Sequence, residues 1–147
     1  MRSIIADRKI SFVIPGIAVP WHRPQQARRF GLFHTYKHNA DRRWQGDVRK
    51  YAMANRPVPV PVGPVVLDVQ FVLPRPKSLS KNVTWHIKKP DLDNLVKSVK
   101  DAMNGIMYKD DAQVAEEIVE KRYCYVDESP CVVVHVGYID VEKGAKA

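Results

Sequence analysis

Lys88-Lys89-Pro90-Asp91-Leu92-Asp93-Asn94-Leu95-Val96-Lys97-Ser98-Val99-Lys100-Asp101-Ala102-Met103-Asn104-Gly105 is the stretch on which the fold turns. Leu92, Leu95, Val96, Val99 and Met103 recur at helical spacing, Pro90 precedes a helix-starting Asp, and Gly105 stands where a C-terminal stop belongs. The spacing predicts a helix over 92–104. At about 100° per residue, Asp93, Lys97, Lys100, Asp101 and Asn104 fall on the face opposite the apolar stripe, with Asp91 beside that face at the helix entrance. Two readings fit these charges. Asp91 is a natural N-cap, Asp93 suits the positive end of the helix dipole, and Asp93/Lys97 and Lys97/Asp101 are ordinary i,i+4 pairs, each contributing about 0.2–0.5 kcal/mol. Alternatively, the acids gather to bind a cation.

The next cluster favours the cation. In Tyr108-Lys109-Asp110-Asp111-Ala112-Gln113-Val114, adjacent carboxylates between apolar residues repel each other and stabilise nothing obvious. A divalent ion removes that repulsion, and Mg²⁺ prefers carboxylate oxygens, taking one or two of them while keeping waters and phosphate oxygens. A calcium loop is excluded, because Leu95 and Val96 occupy the positions where an EF-hand needs a polar ligand and Gly.

Residues 88–114, with Lys-Pro-Asp-Leu-Asp-Asn-Leu-x-Lys, then Asp-Ala-Met-Asn-Gly, then Tyr-x-Asp-Asp-x-Gln-Val, resemble the signature of the RusA family of Holliday junction resolvases. The close match covers 27 of 147 residues, while the family's size and order of elements suit the whole chain. The resemblance implies a small homodimeric endonuclease, often phage- or prophage-encoded, that depends on Mg²⁺, with Mn²⁺ as a substitute, and resolves four-way DNA junctions. Carried over position by position, the family's essential carboxylates fall on Asp91, Asp93 and Asp111, and its important lysine on Lys97. Asp110 is a weaker fourth acid.

Composition agrees with a nucleic-acid partner. The net charge is +8, yet residues 1–90 hold 17 Lys/Arg against 4 Asp/Glu, a balance of +13, whereas residues 91–147 hold 7 against 12, a balance of −5. A phosphate-binding surface in the first part and an acidic centre in the second explain this division. The expected DNA contacts are Arg23, Arg28, Arg29, Lys77, Lys81, Lys88 and Lys89. Residues 1–147 are read as one domain, with tails at 1–8 and 142–147. No stretch reaches the ~18 apolar residues of a membrane helix, and the N-terminus has no signal-peptide core, so the expected location is the cytoplasm. Cys124 and Cys131 read as small strand hydrophobes, and neither forms a zinc-type spacing with the five histidines.

Working outward, Lys9–Ile14 reads as a strand ended by Pro15-Gly16, and Val65–Leu73 as the clearest strand, closed by Pro74. Between them, Val19–Phe30 mixes cations with aromatics. In the RusA-like reading it is the family's basic N-terminal loop, usually written around Arg-Pro-Arg; here Gln25 follows Arg23-Pro24. Gly31–Tyr36 reads as a short returning strand. Asn39–Met53 is an amphipathic helix with Ala40, Trp44, Val48, Tyr51 and Ala52 on one stripe, and its Arg42, Arg43, Arg49 and Lys50 form a solvated face or a phosphate track. Pro57, Pro59, Pro61 and Pro64 enforce an extended connector. Arg75–Ile87 is a basic loop leading into the acidic motif, with Trp85 expected to pack beneath it. Val114–Tyr125 is ambiguous by propensity and is read as strand, because the resemblance implies one and Cys131–Tyr138 offers a partner.

The expected fold is α+β: a four- or five-stranded sheet, mixed or largely antiparallel, packed with two helices. Asp91 and Asp93 lie at the entrance of the second helix, and Asp111 returns beside them at the start of the next strand. The rival is a non-cleaving DNA-binding protein in which the acids are caps and surface pairs. His86, with no nucleophile nearby in sequence, is a weak rival as general base.

Overall fold

The computed structural model describes residues 6–23, 25–29, 32–36 and 39–140, with the backbone alone described for 25–29 and 32–36. The strand written as an almost unbroken apolar run, β4 (Val65–Leu73), lies inside the sheet and is buried on both faces. It pairs antiparallel with β6 (Cys131–Tyr138) and parallel with β5 (Val114–Tyr123), and β6 pairs in turn with β1 (Arg8–Pro15). The order β1-β6-β4-β5 is therefore a mixed four-stranded sheet. β1 starts at Arg8, the last residue of the expected N-terminal tail, and Asp7 is tied down as well, its backbone N–H donating to the Tyr138 carbonyl at 3.0 Å. Residues 142–147, the expected C-terminal tail, lie outside the described residues.

A parallel pair needs a crossover, and the predicted helix supplies it. α2 (Leu92–Met103) connects β4 to β5 and packs beside α1 (Asn39–Ala54). Leu95, Val96, Val99, Ala102 and Met103 from α2 join Trp44, Val48 and Ala52 from α1 over the odd-numbered side chains of β4 and the even-numbered ones of β6 and β1, forming one core. Gly105, at φ +81°, stops α2, a conformation that favours glycine.

Two features depart from expectation. Gln25–Arg29, read as loop, forms β2, pairing antiparallel with β3 (Leu32–Tyr36) as a separate ribbon. Its sequence has no apolar alternation, so only the pairing makes it a strand. Trp85 does not pack under its loop but is 58% exposed. Arg75 holds that loop instead, donating to the carbonyls of Cys124, Ser80 and Val83 at 2.7, 2.8 and 2.6 Å. Trp85 bridges Arg122 along the free edge of β5, with the Tyr123 N–H donating to the Thr84 carbonyl at 2.9 Å. Among the described residues no helix is long and apolar enough to cross a membrane. Cys131 opens β6 and buried Cys124 follows β5; both are free thiols, held above their ordinary pKa chiefly by burial.

Candidate nuclease site

The charged face of α2 looks across to the first half of β5. Between them lies a cleft of about 310 Å³, lined by Asp93, Lys97, Lys100 and Asp101 from the helix, Glu117 from β5 and Asp111 from the turn that precedes β5. Helical periodicity explains the first four, since positions 93, 97, 100 and 101 share the face opposite the buried stripe. Three of the four residues expected to act on DNA, Asp93, Lys97 and Asp111, thus line a single cleft.

The remaining expected site residues are placed differently. Asp91 occupies the N-cap position with extended backbone, but its side chain makes no capping hydrogen bond. It accepts from the Lys89 ammonium at 2.9 and 3.0 Å, an exposed pair that contributes little to stability. Asp110, expected as a weaker fourth acid, caps the 3-10 turn Asp111–Gln113, accepting from the Ala112 N–H at 2.8 Å. A local side-chain to backbone bond therefore accounts for one member of the acidic pair. Gln113 completes the box: its carbonyl oxygen accepts from the N–H groups of Lys109 and Asp110 at 2.8 and 3.0 Å, and its amide donates to the carbonyls of Pro61 and Gly63 at 3.0 Å each. That one side chain clamps the acidic turn to the proline connector and leaves Asp111 facing the cleft.

Among the described residues, neither Asp93 nor Asp111 takes part in an ion pair, and the expected Asp93/Lys97 pair is not made. The Lys97 ammonium stands 4.3 Å from the centroid of the Trp21 ring, a cation–π contact. The Trp21 backbone is fixed in turn, its main-chain N–H donating to the Asn94 carbonyl at 2.8 Å, and next to it His22 Nδ1 lies 2.8 Å from the buried Asp41 carboxylate on α1. The segment leaving β1 is thereby bolted to both helices, and Arg23, the next residue, is exposed. Lys100 forms an ion pair with Glu117.

Beneath the cleft, fully buried Tyr108 donates its hydroxyl to the Lys100 carbonyl at 2.8 Å. Burial first, and then the charges of Asp111, Asp101 and Glu117, push this phenol far above its ordinary pKa, so it remains a donor. At the other end of the helix, the Lys121 ammonium donates to the carbonyls of Lys88 and Pro90 at 2.6 and 2.7 Å. β5 thus holds the chain that delivers Asp91 and Asp93. Sequence reasoning missed Trp21 as a partner of Lys97, and also Lys100, Glu117, Lys121 and Gln113. Lys100 was on the predicted face, and Gln113 sits three residues after Asp110, the spacing of a capping box; the others are long-range contacts with no local signal.

Among the described residues no three His, Cys, Asp or Glu side chains are gathered closely enough to hold a metal by themselves. Two open carboxylates beside lysines leave room for a cation that completes its shell with water and phosphate oxygens, which is how Mg²⁺ usually binds. The expected phosphate contacts Lys77, Lys81, Lys88 and Lys89 are all exposed; Arg28 and Arg29 lie on β2, where only backbone is described.

His86 stands apart from the cleft lining, its ring 4.6 Å from that of Tyr123 and its buried Nδ1 without a hydrogen-bond partner among the described residues. Burial, and then the Lys121 charge, hold its pKa below the usual 6.5. The unfolded chain takes up a proton that the folded chain refuses, so this contribution to stability is complete above about pH 6.5 and is lost as pH falls below it. The urea midpoint is expected to drop between about pH 7.5 and 5.5, and to drop less in His86→Gln. Equal drops in the two proteins would show that His86 is not the group responsible.

The model of the family described as Endodeoxyribonuclease RusA matches residues 15–137. The chain is also 36% identical over 137 residues to "Uncharacterized protein YqaN" of Bacillus subtilis (strain 168), a match that covers 86% of this chain and 94% of that protein.

Proposed function

Because the chain belongs to the RusA family of endodeoxyribonucleases, we propose that it is a Mg²⁺-dependent, structure-specific endonuclease that resolves four-way DNA junctions by paired nicks, acting as a homodimer. The observation that carries this reading is the shared cleft of Asp93, Lys97 and Asp111, whose two carboxylates have no ion-pair partner among the described residues. A protein that merely held DNA would gain nothing from unpaired acids facing phosphate. Asp93 and Asp111 are the metal ligands in this proposal, with Asp91 the third carboxylate of the motif. Mn²⁺ suits the same oxygen donors. When bound, such a cation supplies the charge that polarises the phosphoryl group, activates water and neutralises the leaving 3′ oxygen.

The chain's own residues account for the rest. Lys97, aimed by Trp21, lies in the same cleft as the two carboxylates and stabilises the charge that develops on the phosphoryl oxygens. Lys100, tethered to Glu117, adds positive charge to the same wall and offsets part of the acids' repulsion of DNA. The exposed cations before Asp91 grip the arms of the junction through phosphates, giving an affinity that falls steeply with salt. A junction has two-fold symmetry and needs two nicks, so a chain carrying one site acts as an isologous pair.

The test is a labelled four-way junction incubated with Mg²⁺ or with EDTA. Nicks bearing 5′-phosphates in Mg²⁺ alone are expected, together with a dimer in sedimentation at micromolar concentration. Tight binding without nicking under either condition would support a non-cleaving DNA-binding protein instead, and a monomer would remove the paired mechanism.

A further inference from the structure

At the far end of β5 from the acidic cleft, the loop that follows β4 and the turn between β5 and β6 enclose a larger groove, of about 470 Å³. Part of its wall is apolar, including Pro74, Leu79, Val126 and Pro130. One side carries Tyr125, 57% exposed, with the Arg122 guanidinium 4.3 Å from its ring centroid. Exposed Lys77 and Lys81 also line it, and neither has an ion-pair partner among the described residues.

The charges of this groove are arranged for an anionic ligand. Its one lining acid, Glu128, is fully engaged, accepting from both Arg122 terminal nitrogens at 2.8 and 2.7 Å and holding its carboxyl below the ordinary range chiefly through that bond. Arg75 is consumed by three backbone carbonyls but still adds its charge to the wall. What remains available is an aromatic face, an apolar slot of ligand-binding size and two lysines. A planar ring that carries phosphate satisfies all three at once: the ring stacks on Tyr125, fills the slot, and leaves its phosphates to the lysines. An apolar or acidic peptide would use only part of this set.

We propose that this groove takes an unpaired nucleotide of the DNA substrate, stacked on Tyr125 with its flanking phosphates on Lys77 and Lys81. The proposal rests on the reading of this chain as a DNA endonuclease and adds to it a second, non-cleaving site. In continuous duplex both faces of a base are covered by its neighbours, so the groove has nothing to stack there. At a branch point, where stacking is interrupted, a base is released at lower cost than in continuous duplex. The groove therefore contributes preference for branched over linear DNA, through a base that a branch point exposes and continuous duplex does not.

The experiment uses the full chain in EDTA, with a four-way junction carrying 5-iododeoxyuridine at the branch and a linear duplex of the same sequence. Irradiation is expected to give an adduct on the peptide that contains Tyr125. Tyr125→Ala is expected to weaken junction binding roughly 5- to 100-fold, the effect of losing one base–aromatic stack, with duplex binding unchanged and Tyr125→Phe like the wild type. Unchanged junction binding in Tyr125→Ala with the adduct elsewhere would overturn the inference and leave the groove to a protein partner. Equal losses on junction and duplex would also overturn it, since Tyr125 would then read no unpaired base. Nicking in Mg²⁺ by the same preparation separates the two levels. A wild type that nicks junctions while Tyr125→Ala binds them normally refutes this site alone, whereas an adduct on Tyr125 without any nicking refutes the endonuclease and keeps the site.

Discussion

Asp93→Asn and Asp111→Asn are each expected to lower nicking of a four-way junction by on the order of 10²- to 10³-fold, while junction binding is kept or tightened. Both side chains line the cleft beside Lys97, and among the described residues neither is neutralised by an ion pair. Asn keeps the shape and one oxygen but removes the charge that attracts a divalent cation and repels phosphate. Cleavage and affinity should therefore move in opposite directions. Asp91→Asn is expected to follow them in direction, and Asp110→Asn to affect mainly the turn that it caps. Single-turnover nicking at saturating DNA and titration in EDTA measure the two quantities. Full nicking by Asp93→Asn or Asp111→Asn would remove that residue from the site.

Lys97→Ala is expected to slow nicking at saturating junction by about 10²-fold with little change in affinity. Many exposed cations would be available to DNA in the proposed reading, but Lys97 is one of two that line the acidic cleft, where its ammonium contacts the Trp21 ring. A group that acts on the transition state shows its loss in the rate at saturation; a group that only binds shows it in the concentration needed to reach saturation. A normal rate at saturation with weakened binding would reassign Lys97 to DNA binding.

How much of this was legible in the sequence depended on whether the information was local. The Leu92–Met103 helix, the central strand Val65–Leu73 and the last strand Cys131–Tyr138 are written in their own apolar periodicity, and the structure places them at those residues. Val114–Tyr125 is ambiguous by propensity, because its glutamates suit a helix, and pairing with β4 decides Val114–Tyr123 as strand. Gln25–Arg29 carried no strand pattern, since what makes it one is a partner strand that local propensity does not report. The site divides in the same way. Asp93 and Lys97 share a helix face by counting residues, but the approach of Asp111 depends on the chain turning back after Gly105 and rested on family resemblance alone. The adjacent acids Asp110-Asp111 suggest a repulsion awaiting a cation; the structure shows that Asp110 also has a local role, accepting the Ala112 N–H as cap of the turn. Trp85 was expected to be buried as large aromatics usually are, yet Arg75 had already satisfied the loop.

The central claim is that this acidic cleft cuts branched DNA in symmetric pairs. It is tested most directly by mapping, at single-nucleotide resolution, the nicks that the wild-type chain makes in Mg²⁺ on a mobile four-way junction with each strand labelled in turn, beside a linear duplex of the same sequence. The account predicts nicks at two symmetry-related positions across the branch, little cutting of the duplex, and none of these products from Asp93→Asn. Equal cutting of junction and duplex at unrelated positions, or products that persist in Asp93→Asn, would contradict it.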